Sequence, residues 1–214
     1  MGRHLVLGSA SELASLPPNL QGVWAEGTKP PWACDLHLNV NLQMAYWPAG
    51  PTGLYPEAAA PLAGFLLRLA QSGRRVARLY YGAAERGAWV AHGFTDAWAS
   101  AAPLGPPAWA LCVVCGAWAA LSLWAAFEYT REAWLLDAAY PLLRDAALFF
   151  EGQLRPAAGA GDHADHADRG GRGGRGGHGD GNGTLRFSVP AHSPENSYVS
   201  AEQGVRFLAL DNLV

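Results

Sequence analysis

The sequence predicts an all-α fold built from paired helices. Two stretches at 56–73 and 141–154 carry apolar residues at helical spacing, as outer helices with one buried face would. Between them Trp109–Tyr129 is apolar all round, as an inner helix enclosed by its neighbours would be. Amphipathic outer helices paired with long apolar inner ones define the class. Composition agrees: 214 residues suffice for one domain with a real core, and half are apolar against 15% charged.

In chain order, residues 1–35 read as a lead-in with little regular periodicity, punctuated by Pro17-Pro18 and Pro30-Pro31. The run from Leu36 then makes a short helix, stopped at Pro48. Pro56 opens the next helix, whose face is Ala58, Leu62, Phe65, Leu66 and Leu69, with Gly73 as its end. Arg74–Tyr81 reads as a further short helix closed by Gly82. Residues 82–107 are mostly loop and hold Trp89, His92, Thr95, Asp96 and Trp98, polar and aromatic groups of the kind that sites use. After the inner helix, Arg131–Ala139 and Pro141–Leu154 read as two amphipathic helices.

From Pro156 to Gly183 the composition turns to Gly, Arg, His and Asp, which cannot bury enough apolar surface to order itself. An Arg-Gly-Gly RNA-binding box and a His/Asp metal tract are its functional alternatives. Only three Arg repeats occur, without interleaved aromatics, so a solvated insert is favoured. Leu185–Val189 alternates like a short strand and presents the loop His192–Asn196. Ala201–Val214 begins one more helix.

Charge and cysteine usage exclude several classes. A net charge of -3 gives no reason to expect nucleic acid or an anionic membrane as partner. Three cysteines make no disulfide framework; Cys112 and Cys115 read as buried small hydrophobes, with redox or metal spacing as the alternative. No metal or other cofactor is expected. The Met1–Leu7 run is too short for a signal peptide. Trp109–Phe127 is long enough to suggest a membrane span, but its alanines, tryptophans and amphipathic neighbours favour a buried helix.

The run Leu36-His37-Leu38-Asn39-Val40-Asn41-Leu42-Gln43-Met44-Ala45-Tyr46-Trp47-Pro48 is dense in amides and aromatics. Amides offer donor and acceptor together, and aromatic faces suit the C–H side of a sugar ring. Taken in order, Asn39-x-Asn41, Tyr46-Trp47-Pro48, Gly73-Arg74-Arg75, Trp89-Val90-Ala91-His92, Thr95-Asp96-x-Trp98 and Ser193-Pro194-Glu195-Asn196 resemble the plant-like α-L-fucosidases of glycoside hydrolase family 95. The likeness starts near Arg3-His4-Leu5 and, apart from the insert, runs through nearly the whole chain.

That resemblance implies an (α/α)6 toroid, of which this chain would be about the first half of the helices, with a short β element before the Ser-Pro-Glu loop. The implied organisation is a lead-in at 1–35, helix pairs at 36–155, the insert at 156–183, and the Ser-Pro-Glu loop with the next helix at 184–214. It also implies inverting hydrolysis of terminal α-L-fucose from fucosylated glycans, and a secreted or extracellular setting. Glu195 takes the general-acid role; Asn39 and Asn41 work with a catalytic Asp to activate water. Amides cannot serve as the base near neutral pH, so theirs is orientation and polarisation. His37, Trp47, His92, Asp96 and Trp98 are candidate sugar contacts, with ordinary packing as the alternative for each.

The family's catalytic Asp lies in a motif with no match in these 214 residues, so a fragment that is inactive alone is expected. Ala45, Cys112–Cys115, Ser122, Ala125 and Ala126 also depart from the family pattern. They leave a catalytically inactive carbohydrate-binding relative as the second reading.

Overall fold

The computed structural model describes residues 1–11, 13–106, 110–156 and the backbone of 185–187. It is mostly helical. Helix α1 (Gly2–Ala10) lies within the lead-in and packs against α3 (Tyr55–Tyr81) and the 3-10 turn Trp47–Ala49. Between them come α2 (Asn41–Tyr46) and strand β1 (Leu36–His37), which pairs antiparallel with β2 (Phe94–Thr95). Helices α4 (Cys115–Thr130) and α5 (Ala133–Gln153) form a hairpin that packs on α3. The core lies among these three helices, centred on Phe65, Leu66, Leu69, Leu123, Leu135 and Phe149.

Local chemistry explains the helix ends. In α3, Pro56 stands in the first turn, where its missing N–H would be unsatisfied anyway, and Glu57 sits against the positive end of the dipole. Gly82 closes α3 at φ 62°, and the N–H of Ala83 returns to the carbonyl of Ala77. A left-handed Arg131 (φ 59°) turns α4 into α5, its N–H donating to Phe127 O at 2.7 Å.

The helices are longer than the sequence pattern suggests. Helix α3 runs 27 residues straight through Gly73. This glycine is a packing device: a Cβ there would meet Val90 O at 2.6 Å and Trp89 Cε3 at 2.9 Å. Gly116 does the same on α4, where a Cβ would stand 2.9 Å from Trp89 Cζ3 and 3.0 Å from Ala91 N. The segment Trp89–Ala91 thus runs between two helices at backbone distance. Trp89, 1% exposed, donates its indole N–H to Leu142 O of α5 at 2.8 Å.

Likewise α5 is one helix, with Pro141 inside it at the cost of one backbone hydrogen bond. Its buried Asp145 accepts from Arg144 at 2.7 Å and from Arg74 at 3.2 Å. Arg74 also donates to Gly87 O, tying the loop after α3 to both helices.

The inner helix begins at Cys115, later than expected. Backbone groups before it serve the 92–93 loop instead: Cys112 N–H donates to His92 Nδ1 at 3.1 Å, and Ala110 O accepts from Gly93 N. Cys112 and Cys115 are buried, as expected, but they form a disulfide, and Cys34 is the free thiol. One face of α4 is enclosed, while Leu121 is exposed and Trp118 and Trp124 are half-buried, so no described element covers that side. No helix among the described residues is long and apolar enough to cross a membrane.

The expected strand appears as β4 (Leu185–Phe187), antiparallel to β3 (Leu154–Pro156) with Arg155 opposite Arg186. Pro156 and Leu185, the described residues on either side of the insert, stand opposite each other. The insert itself, the Ser-Pro-Glu loop with Glu195 and the helix expected from Ala201 lie outside the described residues.

His92 belongs to this framework. It is fully buried; Nδ1 accepts from Cys112 N, so the neutral ring carries its proton on Nε2, which faces Tyr81 Oη at 3.2 Å. Burial lowers its pKa from 6.5 to about 4 and pushes the Tyr81 phenol up to about 12. Below pH 6.5 the unfolded chain binds a proton that the folded chain refuses until about pH 4. Stability should therefore fall as pH drops through that window, by on the order of 3 kcal/mol from this group, and level off below it. Urea midpoints against pH check this: His92→Gln should flatten the slope between pH 6.5 and 4, and an unaltered slope would refute it. Gly73→Ala should destabilise by about 1–3 kcal/mol through overpacking, against the gain of about 1 kcal/mol that Gly→Ala brings in an open helix. Chemical denaturation decides the sign.

Candidate functional site

The candidate site grows from the β1–β2 pairing. Leu36 stands opposite Thr95 and His37 opposite Phe94. Side chains opposite one another share a face, and the His37 ring lies 4.6 Å from the Phe94 ring. Asp35, two residues earlier on the same face, brings Oδ1 to 2.6 Å from His37 Nε2. After His37 the chain turns through Leu38–Val40 into α2. Two bonds fix that turn. Leu38 N–H donates to Gly93 O at 2.7 Å, and the fully buried Gln43 amide donates to Leu38 O at 2.7 Å.

The two asparagines part company here. Asn39 is buried within the turn, while Asn41, first residue of α2, is exposed. Beyond β2, Asp96 Oδ1 accepts from the N–H groups of Trp98 and Ser100, both at 3.0 Å. Thr95 Oγ1 donates to Ser100 O at 2.7 Å. These bonds make a tight turn that holds Trp98 out, 87% exposed. Trp47, 54% exposed, opens the 3-10 turn at the far end of α2, about 9 Å of helix from Asn41.

The pairing therefore assembles His37, Asn39, Asp96 and Trp98 around one two-stranded ribbon. It sets Trp47 apart, and it encloses His92 behind the site with both ring nitrogens engaged. A cleft of about 550 Å³ opens beside the ribbon, walled by Leu16, Asn19, Cys34, Asp35, Leu36 and Asp96. Burial pushes the Tyr46 phenol of α2 up, keeping it a neutral donor. Among the described residues no three His, Cys, Asp or Glu side chains group to hold a metal ion. The arrangement gathers an amide, an imidazole and carboxylates about one ribbon, with an indole at its edge, the group types that hydrogen-bond and stack against polyhydroxyl compounds.

Sequence reasoning missed Asp35, Gln43 and Phe94. Asp35 carried a signal, being two residues from His37 in an extended stretch. Phe94 meets His37 only through strand register, and Gln43 looked like one amide among several.

The profile of the glycosyl hydrolase family 95 catalytic domain matches residues 1–166. Alpha-L-fucosidase 2 of Arabidopsis thaliana is 39% identical over 150 residues, 69% of this chain and 17% of its own length. Probable alpha-fucosidase A of Aspergillus niger is 37% identical over 155 residues, 72% of this chain and 19% of that protein. The corresponding Aspergillus oryzae protein is 43% identical over 91 residues, 42% of this chain and 12% of its length. The chain thus spans less than a fifth of each of these relatives. With 166 of its 214 residues matched by the domain profile, the chain belongs to glycosyl hydrolase family 95.

Proposed function

We propose that this chain forms part of an α-L-fucosidase that releases terminal α-L-fucose from fucosylated glycans with inversion at the anomeric carbon. The observation that carries the reading is the Asn39 turn. Leu38, which leads into it, is pinned at its N–H by Gly93 O and at its carbonyl by the Gln43 amide, in a chain whose relatives are named as fucosidases.

Inversion requires a water on the face of the sugar opposite the leaving oxygen. The Asn39 and Asn41 amides orient that water by accepting hydrogen bonds from it, and a carboxylate base removes one of its protons as the C–O bond to the sugar forms. That carboxylate belongs to an Asp motif that these 214 residues do not match, so they are inactive by themselves. On the other face Glu195 protonates the departing glycosidic oxygen, which needs its carboxyl kept neutral by an apolar setting. His37 and Asp96 hydrogen-bond the sugar hydroxyls while Trp98 covers its C–H face. Domain boundaries follow the same reading, with the catalytic helix pairs at 36–155 and the segment 156–183 as a solvated insert.

A catalytically inactive sugar-binding relative is the second reading. Ser122, Ala125 and Ala126 of α4, the first and last of them buried, replace residues that the family resemblance gives as His, Glu and His, which favours it.

Expressed with its complete reading frame, Glu195→Gln should lower fucose release from a fucosylated oligosaccharide by about 10²–10⁴-fold. The loss should be much smaller on nitrophenyl α-L-fucoside, whose leaving group needs no proton. Equal losses on both substrates, or none, would remove Glu195 from the acid role. Asn39→Ala should cut turnover on both substrates alike by about 10²-fold or more, because water attack is common to them. Proton NMR of the first-formed sugar should show β-L-fucose; the α anomer would exclude inversion.

A further inference from the structure

The Cys112–Cys115 disulfide takes no part in hydrolysis as described above, and its surroundings differ from those of an inert crosslink. It joins residues only three apart, and Cys115 N–H already donates to Cys112 O at 3.2 Å across the same turn. A crosslink over so short a loop removes little entropy from the unfolded chain. Its effect must be local.

Locally, it sits at the head of a relay. Cys112 N–H donates to His92 Nδ1, and Gly116 N–H, one residue past Cys115, donates to Ala91 O. The next residue in that loop, Gly93, donates to Ala110 O and accepts from Leu38 N–H. Leu38 in turn receives the Gln43 amide and immediately precedes Asn39. The turn that closes the disulfide therefore holds His92, its flanking residues Gly116 and Ala110 hold Ala91 and Gly93, and 91–93 braces the Asn39 turn.

We propose that Cys112–Cys115 is a reversible redox site whose state sets the order of the Asn39 turn. Its consequence for hydrolysis rests on the fucosidase reading; the redox site does not. The reductant is a dithiol. Its thiolate attacks Cys112 Sγ, in the residue of the pair with some exposure, 6% against none for Cys115, beside an exposed Val114. The S–S bond breaks, and the electron pair leaves on Cys115 Sγ, at the first residue of α4, where the helix N-terminus favours a thiolate. The reductant's second thiolate then attacks its own bound sulfur and frees Cys112. Two electrons and two protons pass to the protein, and the reductant departs as a cyclic disulfide. With the bond open, the 112–115 turn no longer fixes the Cys112 N–H against His92, and the Asn39 turn loosens behind it.

The test uses the whole chain purified without reductant. Thiol titration in denaturant should find one thiol, from Cys34, and three after native incubation with dithiothreitol and its removal. Hydrogen exchange at the amides of Leu38, Gly93 and Cys112 should quicken by about tenfold or more on reduction and recover on reoxidation. The Cys112→Ser/Cys115→Ser variant should exchange at the reduced rate whatever the redox state, whereas Cys34→Ser should respond like the parent. Three thiols before reduction, one after it, or exchange rates indifferent to reduction would each overturn the proposal. Exchange that responds in a complete protein that releases no fucose in either state would leave the redox site standing and sink the fucosidase reading.

Discussion

Trp89 is the side chain around which the described structure closes. It packs against α3 at Gly73 and α4 at Gly116, and it hydrogen-bonds α5 at Leu142. An indole buries a large apolar area and leaves one donor to satisfy, and a helix carbonyl deep in the core meets that need. The two glycines make the arrangement possible, since a Cβ at Gly73 would collide with the Val90 backbone and one at Gly116 with the enclosed Trp89 ring. Because Ala91, His92 and Gly93 follow directly, the placement of Trp89 also decides where the loop can meet Leu38. The candidate site inherits its position from a packing event on its far side.

That dependence explains what the sequence could and could not disclose. Helix class, the buried face of α3 and the pairing of α4 with α5 follow from apolar spacing, a local property. Gly73 misleads because glycine ends helices and also admits close neighbours, and only the partner, Trp89 on a distant loop, distinguishes the two uses. Pro141 misleads in the opposite sense: a lost hydrogen bond is tolerated when the helix buries Leu135, Leu142 and Phe149 around it. Helix α1 was hidden in a lead-in with weak periodicity, where Val6 and Ala10 are its chief buried apolar residues.

The site was legible to the same limited depth. Asn39 and Asn41 stand out as amides two apart, yet one is enclosed and the other open, because the chain passes from turn to helix between them. His92 sits in a loop rich in polar groups and still lies in the core, where the loop's own path buries it against Tyr81. Burial of a loop residue depends on what lies over it, which no local pattern encodes. Asp35, Phe94 and Gln43 join the site through register and hydrogen bonding, both set by the assembled chain.

Rigidity at the Asn39 turn is what gives this geometry chemical meaning. An amide contributes to catalysis or binding by direction alone, since it carries no charge to act at a distance. A freely rotating turn would average that direction away. Here Gly93 accepts from Leu38 N–H and Gln43 donates to Leu38 O, so Leu38, the residue before Asn39, is held at both of its backbone polar atoms. Gln43 does this without any exposure to water that could compete for the bond. A buried amide anchoring the turn that carries Asn39 places the entropy cost of orientation in folding, before any ligand arrives, which is the condition under which a neutral side chain can steer a water molecule.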